Sequence, residues 1–242
     1  MDYQEGTYEG YRKLDFQIGN RTCYLVIPKE PKGNKWLLKT EYFYAFPNFE
    51  LAMLERGWHL AYIENATRWY HESDSDYKAA LCGHLHKEFG LSEKCVCVGM
   101  SCGGLQAVYF AARYPQHVEA LYLDAPVMNL LSCPFSIDQV KYPGMYVELQ
   151  RDTGMTKGML LNYRNHPIDN VGPILENKIP VMLVCGDSDD LVPYDENGMY
   201  LSNILKEHNH PFREILKPGC GHHPHGLEDP TPIIAFVEEY CK

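Results

Sequence analysis

"CVCVGMSCGGLQAVYFAARYP" occupies residues 95–115, and its reading decides the fold. An apolar run leads into Gly99-Met100-Ser101-Cys102-Gly103, and a stretch of helical character follows. The five residues fit G-x-S-x-G, the strained strand-to-helix turn that carries a nucleophile. Small residues flank the hydroxyl because side chains there would strike the adjoining strand and helix. The same turn lifts Ser101 above the sheet and aims the backbone N–H groups that follow it at a reacting carbonyl.

Outward from this turn, short β-rich runs alternate with helical patterns. "KLDFQIG" (13–19) and "TCYLVIP" (22–28) flank Gly19-Asn20-Arg21 and read as a hairpin. "KWLLKT" (35–40), "HLAYIE" (59–64), "KCVCVGM" (94–100), "ALYLDAP" (120–126), "PVMLVCG" (180–186) and "FREILKP" (212–218) read as strands. Helices are expected over 48–57, stopped by Gly57, and over 73–90, stopped by Gly90. Others follow Ser101, lie within 193–209, and close the chain at 230–241. This alternation predicts a mostly parallel sheet of about eight strands covered on both faces. Residues 127–179 break the rhythm with short helical patterns such as "SIDQVKYPGMYVELQ". A bare loop of that length is uncommon, so a small helical cap inserted into a single domain spanning 1–242 is expected.

A serine hydroxyl needs a base, and the base needs an orienting carboxylate. The strand "VMLVCG" runs into Asp187, Asp189 and Asp190, of which one or two are expected to serve as turn caps. The final strand leads into "KPGCGHHPHGLEDP", with His222, His223 and His225 after two glycines. Serine, acid and histidine thus follow one another, each at a strand end, as a serine hydrolase of this topology requires.

With these motifs the chain resembles the α/β-hydrolase superfamily along essentially its whole length. "GDSDDLVP" is similar to the G-x-x-D-x-x-V-P acid segment, which implies Asp189 as the acid, and "PGCGH" is similar to the G-x-G-H segment, which implies His222 as the base. "ERGWHLAYIE", "GMSCGG" and "GHHPHGLEDPTPI" look most like small bacterial hydrolases near the prolyl-oligopeptidase and acyl-esterase branches. Many such relatives carry Arg where Cys102 stands, although the Cys102 backbone N–H can serve as an oxyanion donor whatever the side chain. A second donor is expected from the loop "KTEYFYAFP", at the N–H of Glu41 or Tyr42. Trp69, Tyr70, Asn129 and His223 are candidates to line the substrate pocket.

Composition narrows the alternatives. A net charge of −10 argues against a nucleic-acid or anionic-membrane surface. There is no apolar run of about eighteen residues and the N-terminus is polar, so a cytoplasmic location is expected. Nine cysteines without a C-x-x-C pair read as reduced, mostly as small hydrophobes. Neither metal nor cofactor is expected: "HHPH" lacks the spacing of a zinc motif, and "HLH" (84–86) points its two imidazoles apart on a helix. Ser101, boxed by glycines, is favoured over Cys102 as nucleophile. The expected substrate is a small-molecule ester, foremost an acyl-decorated saccharide carrying acetyl or feruloyl groups. Two other readings stay open. One is a peptidase for short peptides, for which Glu41, Glu64 or the acids at 72–76 would hold the substrate's amino terminus. The other is a weakly catalytic ligand-binding protein.

Overall fold

In a strand that is buried on both faces, successive side chains enter opposite cores. Strand β4 (Trp36–Lys39) does this: Trp36 and Leu38 enter one apolar cluster and Leu37 the other. Strand β6 (Cys95–Met100) repeats the pattern, with Cys95 and Cys97 on one side and Val96 and Val98 on the other. The computed structural model describes residues 2–135 and 142–241.

Besides β4 and β6, the sheet contains β1 (Gln4–Tyr8), β2 (Tyr11–Ile18), β3 (Arg21–Ile27), β5 (His59–Ile63), β7 (Val118–Asp124), β8 (Val181–Gly186) and β9 (Phe212–Lys217). Their order is β1-β2-β3-β5-β4-β6-β7-β8-β9. Pairing is antiparallel from β1 to β5 and parallel from there to β9. The mostly parallel sheet of an α/β-hydrolase is therefore present, with one strand more than expected. That strand, β1, has the polar sequence QEGTY and packs few apolar groups, so its sequence carries no strand signal. Residues Glu9 and Gly10, both at positive φ, turn it into β2, as a two-residue hairpin requires.

Helices α2 (Glu72–Phe89) and α3 (Cys102–Arg113) pack on one face of the sheet. Helices α1 (Asn48–Glu55) and α8 (Thr231–Tyr240) pack on the other. Helix α2 ends at Gly90 in the left-handed conformation (φ 68°), as its sequence predicts, but its N-cap is His71 together with Asp74. Between β7 and β8 lie α4 (Pro143–Thr153), α5 (Lys157–Asn162) and α6 (Gly172–Glu176), with no strand among the described residues. The first part of the helical pattern expected over 136–150 falls outside the described residues. A third apolar cluster joins this segment to the body through Tyr146, Leu149 and Leu160, packed against Trp69, Leu105 and Tyr109. Helix α7 (Gly198–Glu207) lies between β8 and β9. All nine cysteines are free thiols, eight of them buried, and Cys220 is partly exposed. No helix among the described residues is long and apolar enough to cross a membrane.

Candidate active site

The turn between β6 and α3 holds Ser101 at φ 53° and ψ −121°, a backbone conformation that L-residues rarely adopt. Three backbone hydrogen bonds fix it: the Ser101 N–H donates to Asp124 O (2.9 Å), and the Ser101 carbonyl accepts from Gly104 (2.9 Å) and Val127 (3.1 Å). Two glycines make the turn sterically possible. A Cβ at Gly99 would lie 2.6 Å from Gly103 O, and one at Gly104 would lie 2.4 Å from the Pro126 Cβ. Gly103 is less constrained, with 3.2 Å to the Glu41 Cβ.

Strand ends bring the partners to this hydroxyl. His222 Nε2 lies 3.0 Å from Ser101 Oγ, and His222 Nδ1 lies 2.7 Å from Asp189 Oδ2. The other oxygen of Asp189 accepts from the Leu191 and Val192 N–H groups at 2.9 and 2.8 Å. Burial alone would raise this carboxyl, but the His222 hydrogen bond and the two backbone donors outweigh it and hold it below the usual carboxylate range. A carboxylate so held takes the Nδ1–H and leaves Nε2 as the acceptor for the serine proton. The geometry thus places Ser101, His222 and Asp189 in one hydrogen-bonded series, all at most 7% exposed. Asp187 plays the capping part expected of a neighbouring acid, accepting from the Gly219 N–H at 2.7 Å.

The acid and histidine loops approach each other through Gly186. A Cβ there would lie 2.2 Å from Cys220 O, two residues before His222. Gly186→Ala is therefore expected to cost about 1–3 kcal/mol in overpacking and to shift His222 away from Ser101. Thermal melting and kcat measured side by side test this: a lowered Tm with unchanged kcat would show that the loop tolerates the methyl group.

A pocket of about 240 Å³ opens over the serine, lined by Tyr42, Phe46, Arg68, Met100, Met145 and Leu191 together with His222, His223 and His225. The prolyl oligopeptidase family model matches residues 35–241. The chain belongs to the prolyl oligopeptidase family. No curated protein sequence matches it. Among solved structures, this family member is similar to a puromycin-hydrolyzing peptidase of Mycobacterium tuberculosis (TM-score 0.72, 13% identity, 96% of this chain and 40% of the other). It is also similar to dipeptidyl peptidase 4 of Porphyromonas gingivalis (0.65, 14%, 99% and 35%). An S-formylglutathione hydrolase of Agrobacterium tumefaciens matches at full length (0.62, 13%, 99% and 96%). The chain thus spans 35% and 40% of those two peptidases and nearly all of the S-formylglutathione hydrolase. It has the α/β-hydrolase fold.

In this prolyl oligopeptidase family chain, three of the four residues expected in the pocket lie elsewhere. Trp69 is 2% exposed in the third apolar cluster, because its large ring packs beneath the segment carrying α4. Tyr70 stacks on Tyr109 at 4.1 Å, beside a separate surface pocket. Asn129 turns its side-chain oxygen to the Leu131 N–H at 2.9 Å and caps its own loop. Only His223 lines the site, stacked on Phe46 at 5.5 Å. Cys102 is fully buried and burial pushes its thiol up to about 11, which disfavours a thiolate.

Arg68 is the residue that sequence reading missed. It is paired with Glu148 of α4 through Nε–Oε1 (2.8 Å) and Nη2–Oε2 (2.5 Å), and its guanidinium lies 5.1 Å over the Trp69 ring. His225 was missed as a partner of Asp124, with Nδ1 2.6 Å from Oδ1. Of the backbone groups expected as oxyanion donors, that of Cys102 opens α3, where first-turn N–H groups have no intrahelical acceptor. Tyr42 is held at φ 54°, and its N–H donates to Glu41 Oε1 at a long 3.3 Å. The Glu41 carboxylate is in turn held by Asn65 Nδ2 (2.7 Å), and Asn65 by Lys78. Burial pushes the Lys78 ammonium down to about 8. This chain of contacts anchors the loop after β4 to α2.

Proposed function

We propose that the chain is a carboxylic ester hydrolase acting on small molecules with a short acyl group. One observation carries this reading: Ser101, His222 and Asp189 are hydrogen-bonded in series beneath a small, mainly apolar pocket with no carboxylate among the described residues that line it. Such a pocket favours an apolar acyl chain. A charged amino terminus would need an acid, and Glu148, which meets the lining through Arg68, is already paired with it.

In the proposed mechanism Ser101 Oγ attacks the ester carbonyl as His222 Nε2 takes its proton. Asp189 holds the imidazole and stabilises the imidazolium. The Cys102 N–H stabilises the tetrahedral oxyanion, and the Tyr42 or Glu41 N–H joins it as second donor, each supplying ~3 kcal/mol. His222 then protonates the leaving alcohol, and water repeats the sequence on the acyl-enzyme. An acyl-decorated saccharide would suit this site with its acyl group inside and its sugar at the mouth.

The second reading, a peptidase for short peptides, is favoured by the family and by the peptidases among its structural neighbours. A panel of p-nitrophenyl esters from acetate to octanoate, set against aminoacyl-p-nitroanilides, decides between them. Esters of two to four carbons are expected to turn over at least ~100-fold faster than any anilide. Faster anilide turnover would replace the esterase reading with the peptidase one. A single acyl burst without turnover would make the protein a binder.

A further inference from the structure

His222, His223 and His225 each bring one ring nitrogen within 4.8 Å of the others. The rings stand nearly perpendicular to one another, at 77° to 80°, with centroids 4.7 to 5.0 Å apart. Adjacency in sequence does not keep His222 and His223 apart in space.

Two of the three rings are already oriented as metal ligands are. His222 gives its Nδ1 side to Asp189 at 2.7 Å and His225 gives its own to Asp124 at 2.6 Å. An imidazole that donates Nδ1–H to a carboxylate offers the Nε2 lone pair outward, the carboxylate–histidine arrangement found behind most metal-bound histidines. Asp124 is itself fixed by the Gly226 N–H (2.9 Å) and the Tyr122 hydroxyl (3.2 Å). His223 is exposed, and its ring makes no hydrogen bond to any described residue and is held only by ring contacts such as the stack on Phe46, so it can turn toward the other two. Two buried carboxylates behind the trio also balance the charge of one divalent cation.

We propose that these three histidines bind a first-row divalent cation, with Zn2+ the best match to three imidazole nitrogens and one open position. Zn–N bonds of about 2.0–2.1 Å in a tetrahedron place the nitrogens roughly 3.4 Å apart. The trio closes to that spacing chiefly by movement of His223. The bound ion occupies the Nε2 lone pair that would accept the Ser101 proton. Ser101 keeps its proton, the Nδ1–H bonds to Asp189 and Asp124 persist, and hydrolysis stops until the metal is removed. The silencing rests on the Ser101–His222 reading proposed above, whereas the binding does not.

Calorimetric titration of ZnCl2 into chelator-treated protein tests the site directly, with His223→Gln and His225→Gln as variants. One Zn2+ per chain is expected, bound at least ~10-fold more weakly by each variant. His223 is exposed, so its substitution leaves the core untouched. Co2+ is expected to give the visible bands of a four-coordinate nitrogen site. A thiolate charge-transfer band would place the metal on a cysteine such as Cys220 and overturn the proposal. So would equal Zn2+ affinity in wild type and His223→Gln, or no binding at ~100 µM. In the ester assay, inhibition by Zn2+ should be reversed by EDTA and should weaken in His223→Gln by the same factor as binding. Binding at the trio with undiminished hydrolysis would overturn the silencing alone. A protein inactive on every ester would remove the catalytic reading, while the calorimetry still decides the metal site.

Discussion

Ser101→Ala is expected to lower kcat toward short-chain esters by ~10⁴- to 10⁶-fold, with KM changed little. Removing the nucleophile of a serine–histidine–acid set costs about as much as removing all three members, because they act as one unit. The remaining rate comes from the oxyanion donors and from binding. The variant should fold normally, since among the described residues Ser101 Oγ hydrogen-bonds only to His222 and the backbone bonds that hold the turn do not involve the side chain. Steady-state kinetics with a matched denaturation curve are the test. Hydrolysis that survives in a folded Ser101→Ala protein would move the chemistry away from the elbow.

The second large effect is on stability. Lys39 and Glu50 form an ion pair with side chains 0% and 1% exposed, beneath the loop that carries Phe46 into the pocket. Lys39 also donates to Ala45 O at 3.2 Å, and the second oxygen of Glu50 is buried without a hydrogen-bond partner. Lys39→Ala strands the Glu50 charge in the core and is expected to cost about 3–5 kcal/mol. Lys39→Met combined with Glu50→Met removes both charges and should return to within ~1–2 kcal/mol of wild type. Urea denaturation of the three proteins measures this, and a loss below ~1 kcal/mol for Lys39→Ala would refute it. The double variant should still show a lowered kcat/KM, because the Ala45 carbonyl has lost its anchor.

The fold and the candidate triad were legible for a physical reason. Buried parallel strands announce themselves as apolar runs, and Ser101, Asp189 and His222 lie in the segments that follow three of them. The resemblance of "GDSDDLVP" to the superfamily's acid segment singles out Asp189 from its neighbours, and Asp187 proved to be the turn cap. The pocket walls were not legible. Arg68 and Glu148 are 80 residues apart, and Asp124 and His225 are 101 apart; no local pattern records such pairings. Aromatic side chains misled in the opposite way. Trp69 and Tyr70 look like ligand-binding residues in a loop, yet their area is spent on packing the segment that contains α4. Strand β1 escaped notice because an edge strand needs backbone partners more than apolar side chains.

The backbone of Ser101 has one more implication, for how this sequence can change. A residue held so far from its comfortable conformations lowers stability by roughly 1–3 kcal/mol, and the surrounding structure must carry that load permanently. Glycine at position 101 would relieve it and erase the hydroxyl at the same time. The most stable version of this chain and the reactive one are therefore different molecules. Any search that rewards thermal resistance alone will drift toward the inert one.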